Sequence, residues 1–252
     1  MFSKALLYTF LLWGLIGQLA LATTGRLGIQ KDDSVSDNGL VSLGSVCQFD
    51  TAPSNAIFLA MVKQAYDDMT KAAPSKGKTP SAMIGLAIGN EVYFSSSVKG
   101  GKKTIVYEAH SDNGGTGKPN PNMPERYHEV TKALEDCSTE QQKQHVNNGM
   151  CGELTSTLSW MIDHPGKKPR DEQPRVAAWN KKGYLPPCGT EEKWGCNKWT
   201  GAIGATVVPN GTVADSFPNP KHVDHVSLNK CMVKEESKSE SKGEDGPTST
   251  KR

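Results

Sequence analysis

Two short stretches of this sequence contain the side chains that are best suited to chemistry. The first is Cys151-Gly-Glu153, in which a thiol and a carboxylate lie two positions apart where a helical pattern begins. The second is Pro187-Cys188, which is followed by a further thiol at Cys196. Three thiolates are a donor set for a zinc ion with an open fourth position. The pattern therefore predicts Cys151, Cys188 and Cys196 as ligands of Zn²⁺ and Glu153 as the catalytic group.

The chemistry of such a site follows from the helix start. Unpaired backbone N–H groups and the positive end of the helix dipole favour the thiolate form of Cys151, which is the form that binds zinc. Zinc with three protein ligands activates a water molecule at neutral pH. From the first turn, Glu153 can take the proton of that water and pass it to a leaving amine. An alternative is that Glu153 has no catalytic role, since the helix dipole alone favours an acidic residue in the first turn.

The cysteine count allows a second interpretation. An even number of cysteines in a secreted chain is typical of disulfide bonds, which would make three pairs here. Cys47, Cys137 and Cys231 lie in the outer parts of the chain or near element ends, where disulfides are common. If the other three cysteines bind zinc, one of these outer thiols stays unpaired. A cysteine nucleophile paired with His145 or His164 is a further alternative, although no local signature supports it.

The elements that must position these residues follow from periodicity and turn signals. An apolar stripe from Ile57 to Met69 predicts a helix that begins at Ser54 or Asn55 and ends before Pro74. The remaining elements alternate between strands and helices. They are a hairpin of 81–88 and 91–94 around Gly89-Asn90, helices at 125–137 and 151–164, a strand at 176–179, a short helix at 199–202 and a strand at 203–208. This order predicts an α/β domain with a mixed sheet, whose second half contains parallel strands joined by crossovers.

The two ends of the chain predict a secreted protein. Residues 1–22 have a basic start, an apolar run and an Ala-x-Ala cleavage site, which are typical of a signal peptide. We predict a flexible leader at 23–46, a single domain at 47–232 and a disordered polar tail at 233–252. The expected localisation is extracellular, with no membrane contact in the mature form. Asn210-Gly-Thr212 is a glycosylation sequon, which agrees with that compartment.

The charge of the chain narrows the classes of partner. A net charge of +2 over 252 residues gives no charge-driven attraction to nucleic acid or to a membrane surface. It mildly disfavours a long nucleic-acid footprint. The oligomeric state cannot be read from the sequence.

The two cysteine stretches resemble the signature of the zinc-dependent cytidine deaminase-like superfamily. That signature is His/Cys-x-Glu followed by Pro-Cys-x-x-Cys, and here it is matched by Cys151-Gly-Glu153 and by Pro187-Cys188 with Cys196. The order of predicted elements over residues 55–208 is also similar. This chain has seven residues between Cys188 and Cys196 instead of two, Gly152 where alanine is usual, and a long insert at 98–148. These departures resemble the divergent secreted and toxin-type branches.

The resemblance implies a three-layer α/β/α fold with a mixed central sheet. It also implies hydrolytic removal of the exocyclic amine of a cytosine-type base, present as a base, nucleoside or nucleic acid. Tyr93, Phe94 and Ser95–Ser97 are candidate pocket residues by position, and Trp194 and Trp199 could stack on a base or pack in the core. The alternative function is a non-enzymatic secreted interaction or effector protein, stabilised by disulfides, which could use a degenerate deaminase fold.

Overall fold

The computed structural model describes five stretches of the chain: residues 27–100, 105–108, 118–120, 122–138 and 145–232. The predicted signal peptide at 1–22 and the predicted tail at 233–252 lie outside them. Parts of the predicted insert at 98–148 do as well. None of the described helices combines the length and apolar character needed to cross a bilayer.

A β-hairpin forms the middle of the main sheet, as the sequence predicts. Strand β3 (Ala82–Ile88) and strand β4 (Glu91–Ser96) pair antiparallel through all six residues of β4. Gly89 in the turn between them has a φ of +56°, a left-handed conformation that glycine adopts without steric cost. Every residue of β3 is buried because strands lie along both of its edges and helices pack on both of its faces.

Six further strands complete the main sheet in the described part of the chain. They are β1 (Gln30–Lys31), β2 (Leu43–Gln48), β7 (Arg175–Asn180), β8 (Gly183–Leu185), β9 (Thr206–Val207) and β10 (His222–Asp224). The order along the sheet is β1-β2-β4-β3-β7-β8, while β10 also pairs with β2 and β9 with β7. A separate pair of strands is formed by β5 (Tyr107–Glu108) and β6 (Lys118–Pro119).

The sheet is largely antiparallel, and the prediction of parallel strands with crossovers is wrong for most of the second half. Strand β7 pairs antiparallel with both β3 and β8, and only the two-residue β9 runs parallel to it. The strand predicted at 203–208 shortens because its first residues complete a helical turn instead. The N–H of Ile203 donates to the carbonyl of Trp199, and that of Ala205 to the carbonyl of Thr200.

Helix α1 (Asn55–Ala72) packs on one side of β3, and its predicted start is confirmed. The side chain of Ser54 accepts a hydrogen bond from the N–H of Ile57 at 3.3 Å, which caps the helix. Gly85 of β3 allows the helix to approach the sheet closely. A Cβ at that position would lie 2.6 Å from Val62 and 2.8 Å from Phe58.

Helix α3 (Gly152–Asp163) packs against β3 and β4 through a second core cluster. Leu154 and Leu158 of this helix share that cluster with Leu86 of β3, whereas Met83 and Ala87 pack in the cluster of α1. Successive side chains of a strand point to opposite faces, so the alternation along β3 divides the core between the two helices. The fold is a mixed α/β arrangement of an antiparallel sheet with several helices.

Two further helices flank α3. Helix α2 (His128–Cys137) follows a 3-10 turn at Glu125–Tyr127, within the predicted helix at 125–137. Helix α4 (Cys196–Ala202) begins three residues earlier than predicted and packs on α2. The indole N–H of Trp199 donates to the carbonyl of Val130 at 3.3 Å.

The first described residues contribute to the core. Residues 27–46, within the range for which the sequence predicts a flexible leader, form β1, a 3-10 helix and the start of β2. Leu27 and Leu43 are fully buried. The carboxylate of Asp32 accepts hydrogen bonds from the N–H of Ser34 and of Leu228, which ties this segment to the other end of the described chain.

Candidate metal centre

Cys151 and Glu153 lie at the start of α3, as the sequence predicts. Cys151 is the residue before the first helical position, and its extended backbone angles of −87° and 142° mark it as the N-cap. Glu153 is in the first turn and only 5% of its surface is exposed. The helix start therefore presents a thiol and a carboxylate together inside the protein.

Gly152 brings this helix start into contact with the hairpin. A Cβ at residue 152 would lie 2.3 Å from the carbonyl oxygen of Ser95 and 2.6 Å from the side chain of Ile84. Any larger residue would push the helix away from β3 and β4. The contact explains why glycine occupies the position between Cys151 and Glu153.

The long loop between Cys188 and Cys196 folds back so that its two thiols meet. The N–H of Asn197 donates to the carbonyl of Cys188 at 2.9 Å, and the N–H of Cys196 donates to the Cys188 sulfur at 3.3 Å. Two glycines make the closure sterically feasible. Gly189 has a φ of +116°, and a Cβ on Gly195 would lie 2.5 Å from the Cys188 carbonyl oxygen. The seven-residue spacing is therefore compatible with one shared site.

The three thiols converge, and a histidine joins them. The sulfur atoms of Cys151 and Cys188 are 3.3 Å apart. The Nε2 atom of His145 lies 3.6 Å from the sulfur of Cys196 and 3.8 Å from that of Cys188. The four ligand atoms all lie within 4.8 Å of one another.

His145 is not among the ligands that the sequence predicts. It lies six residues before Cys151, and the chain between them contains Asn147, Asn148 and Gly149, which are turn-forming residues. Asn148 and Gly149 both have positive φ angles, +52° and +67°. This turn returns the chain toward the start of α3 and buries the imidazole completely. The run of turn residues between a histidine and a cysteine is the signal that could have identified it.

The thiols share their protons unequally. The pKa of Cys188 is well below its usual range because the thiols of Cys151 and Cys196 donate hydrogen bonds to its sulfur, with a smaller contribution from His145. Burial raises the pKa of Cys196, which is enclosed by the core. The hydrogen bond to Cys188 raises the pKa of Cys151, whereas the helix start alone predicts that its thiolate is favoured.

The carboxyl of Glu153 is also perturbed. Burial and, to a smaller extent, the negative charge of Cys188 raise its pKa to about 7. Hydrogen bonds from its own backbone N–H and from the thiol of Cys196 act in the opposite direction. Desolvation disfavours the charged form of a carboxyl, so Glu153 is poised to exchange a proton near neutral pH.

The cluster fits a metal ion such as zinc. Three sulfurs and one imidazole nitrogen are ligand types that zinc prefers, and a tetrahedron with Zn–S bonds of 2.3 Å has edges of about 3.8 Å. Three of the separations between ligand atoms are 3.3–3.8 Å, close to that value, and the four atoms all lie within 4.8 Å of one another. The buried group of His145, Cys151, Cys188 and Cys196 could therefore hold such an ion.

A cavity of about 690 Å³ opens beside the cluster. Cys151, Cys188 and Glu153 contribute to its wall. The polar side chains that share this wall with them include Ser97, Lys99 and Asn147. Its volume falls within the range of about 300–1,000 Å³ that is typical of small-molecule sites.

Most of the other predicted pocket residues lie elsewhere. Tyr93 and Phe94 are buried in the two core clusters, and of the serines that follow them only Ser97 lines the cavity. Trp194 and Trp199 are core residues. Trp194 packs edge-on against the His145 ring, with the ring centroids 5.0 Å apart.

The structure does not contain the disulfides of the alternative interpretation. All six cysteines lie within the described residues, and none has a partner sulfur at bonding distance. Cys47, Cys137 and Cys231 are each buried in the core. Burial raises the pKa of both Cys47 and Cys231 to about 12, which keeps these thiols protonated.

Comparison with protein-family models, with curated proteins and with solved structures finds no significant match to this chain.

Proposed function

We propose that this protein is a secreted, zinc-dependent hydrolytic deaminase that removes the exocyclic amine of a nucleobase. The observation that carries the proposal is the meeting of Glu153, Cys151 and Cys188 in the wall of one cavity, with Cys196 beside them. A zinc ion held by the thiols would supply Lewis-acid activation of water. Such a cavity is large enough for a base or a nucleoside.

Glu153 would perform the proton transfers. Hydrolysis adds water to the carbon that bears the amine, breaks the C–N bond and releases ammonia, so one proton must move from the water to the leaving nitrogen. Glu153 lines the cavity and is buried, and its position allows it to accept the first proton and return it. The cytidine deaminase-like signature assigns this role to the glutamate of Cys-Gly-Glu.

The surrounding architecture supports the same proposal. The start of helix α3 supplies the first motif, Cys151-Gly-Glu153, directly after the hairpin and the insert. The loop into α4 supplies the second motif, Pro187-Cys188 with Cys196. The side chains of β3 alternate between two core clusters, which agrees with helices on both faces of the sheet, the layered arrangement of that superfamily. Besides Glu153 and the thiols, the cavity wall holds Lys99 and neutral polar groups, so the substrate class can be a neutral base, a nucleoside or a phosphate-bearing form.

The experiment is an ammonia-release assay on the zinc-loaded protein. The substrate panel should contain cytosine, cytidine, adenosine, guanine and single-stranded oligonucleotides. We expect the Glu153→Gln variant to keep one zinc per chain and to lose activity by about 10²–10⁴-fold, the usual contribution of a general acid–base group. The matched control is Glu192→Gln, which changes an exposed carboxylate. Absence of ammonia release by the zinc-loaded protein with every substrate, or full activity of Glu153→Gln, would refute the proposal.

One observation favours a second candidate. If His145 also binds the ion, four protein ligands surround it, and closed sites of this kind are structural rather than catalytic. The protein would then be a non-enzymatic secreted interaction protein whose metal stabilises the fold. The role of His145 therefore separates the two candidates.

A further inference from the structure

The imidazole of His145 is held by its own turn through one nitrogen. The backbone N–H of Asn147 donates to Nδ1 at 3.1 Å, and the N–H of Gly149 donates to the same atom at 3.3 Å. The positive φ angles of Asn148 and Gly149 curl the chain so that both N–H groups point inward. The N–H of Asn148 donates a hydrogen bond to the carbonyl of His145 at 2.9 Å, which closes the turn.

These two contacts determine the tautomer. A backbone N–H always carries its hydrogen, so the Nδ1 atom that receives two of them must present a lone pair. Neutral imidazole has one N–H, which is therefore on Nε2. That atom faces the sulfurs of Cys196 and Cys188 at 3.6 and 3.8 Å. In this tautomer Nε2 is a hydrogen-bond donor and has no lone pair for a metal ion.

Histidines that bind metals have the opposite arrangement. They donate the N–H of the other ring nitrogen to a carboxylate, a carbonyl or a water molecule. The N–H groups of Asn147 and Gly149 that contact Nδ1 of His145 are both donors, so ligation through Nε2 would require the ring to lose both protons. We propose that His145 is a positioning residue that donates its Nε2–H to the thiolates of Cys188 and Cys196, and that only the three thiolates bind the ion. This inference rests on the proposed function, because an ion bound by only three thiolates keeps its fourth coordination position open for the water molecule that hydrolysis needs.

The other N–H groups of the cluster support this role. The side-chain amide of Asn147 donates to the sulfur of Cys151 at 3.4 Å, and the backbone N–H of Cys196 donates to Cys188. With His145 included, each of the three sulfurs has at least one N–H neighbour. Three thiolates and one divalent zinc ion have a net charge of about −1, which weakens the attraction of the ion for water. Hydrogen bonds to ligating sulfur offset that charge.

The direct experiment is ¹⁵N NMR of the zinc-loaded full chain with labelled histidine. We expect the ring of His145 to show a protonated Nε2 and an unprotonated, metal-free Nδ1. A metal-bound Nε2 would overturn the inference. Because this measurement uses the unaltered protein, it does not depend on a variant that folds.

Variants give an independent readout through metal affinity and the spectrum of bound Co²⁺. The amide nitrogen of glutamine can replace the Nε2–H donor but is not a zinc ligand, so His145→Gln should keep one metal per chain and an unchanged Co²⁺ spectrum. His145→Ala should bind the metal about 10–100-fold more weakly, as expected for the loss of an outer contact. Cys196→Ser is the control that loses a true ligand. A changed spectrum and loss of the metal in His145→Gln would contradict the inference.

The result is separable from that of the ammonia assay. If Nε2 carries its proton but the zinc-loaded protein releases no ammonia from any substrate, the inference about His145 stands and the deaminase proposal falls. If Nε2 binds the metal while ammonia is released, the inference about His145 fails and the deaminase proposal stands.

Discussion

At the scale of single residues, Gly152 shows how packing and chemistry meet. The residue lies between the cysteine and the glutamate of the first motif, where the start of α3 touches the carbonyl of Ser95. A methyl group there would overlap backbone atoms, which cannot rotate away. The position of Cys151 and Glu153 relative to the cavity therefore depends on a residue that itself has no functional group.

We expect Gly152→Ala to lower the free energy of unfolding by about 1–3 kcal/mol, the usual cost of overpacking a core. Urea denaturation monitored by tryptophan fluorescence measures this. The control is Gly201→Ala in α4, where an added Cβ meets no atom within 4 Å. That variant should be neutral or gain up to about 1 kcal/mol from the higher helix propensity of alanine. Equal stability of the two variants would contradict the close contact at Gly152.

At the scale of elements, the loop from Cys188 to Cys196 determines whether the two thiols of the second motif can reach one metal ion. Its ends are joined by the hydrogen bond from Asn197 to the carbonyl of Cys188, and the side chain of Asn197 accepts from the N–H of Gly195 at 3.0 Å. Within the loop, the N–H of Thr190 donates to the carbonyl of Lys193. These contacts compensate for a spacing that would otherwise separate the thiols.

We expect Gly195→Ala to weaken zinc binding by about 10–100-fold, because outer contacts of a metal site typically contribute that much. The added Cβ would lie 2.5 Å from the carbonyl oxygen and 2.9 Å from the sulfur of Cys188. A competition titration with a chromophoric chelator measures the affinity. Gly211→Ala is the control, since its nearest atom is 3.8 Å away. Unchanged affinity in Gly195→Ala would show that the loop does not need this close approach.

At the scale of the whole molecule, the cluster joins parts of the chain that are distant in sequence. His145 and Cys151 come from the turn before α3, Cys188 comes from the loop before α4, and Cys196 is the first residue of α4. The strands β7 and β8 lie between them in sequence. An ion bound by the three cysteines cross-links segments that separate on unfolding, and it therefore stabilises only the folded state.

We expect removal of zinc with a chelator to lower the Tm. Free zinc at 100 times its Kd stabilises the folded state by about 2.7 kcal/mol, which corresponds to about 5–10 °C for a domain of this size. Differential scanning calorimetry with and without the chelator measures the shift. Cys151→Ser should abolish the shift, whereas Cys47→Ser, which changes a buried thiol outside the cluster, should retain it. An unchanged Tm after verified loss of the metal would contradict a folding role for the site.

The sequence predicted the parts of this protein that depend on local periodicity and local turn chemistry. Helix α1, the β3–β4 hairpin and the start of α3 at Cys151 each have a signal within a few residues: an apolar stripe, the Gly89-Asn90 turn and a capping position. The convergence of Cys151, Cys188 and Cys196 was also predictable, because the spacing of the two motifs and the adjacent helix starts indicate it. The wrong prediction was strand direction, since β7 pairs with β3 through long-range contacts that no local pattern contains.

Tertiary structure alone decided how the site is completed. His145 approaches Cys188 and Cys196 because its ring packs against Trp194 and the N–H of Val146 donates to the carbonyl of Trp194, contacts between residues far apart in the chain. The cavity likewise requires the hairpin, the turn and the second motif to meet, and burial of Glu153 follows from that meeting. Residue types and spacing thus determined which groups could do chemistry. Long-range packing brought the sulfurs of Cys188 and Cys196 to Nε2 of His145, whereas the local turn places two N–H donors on Nδ1.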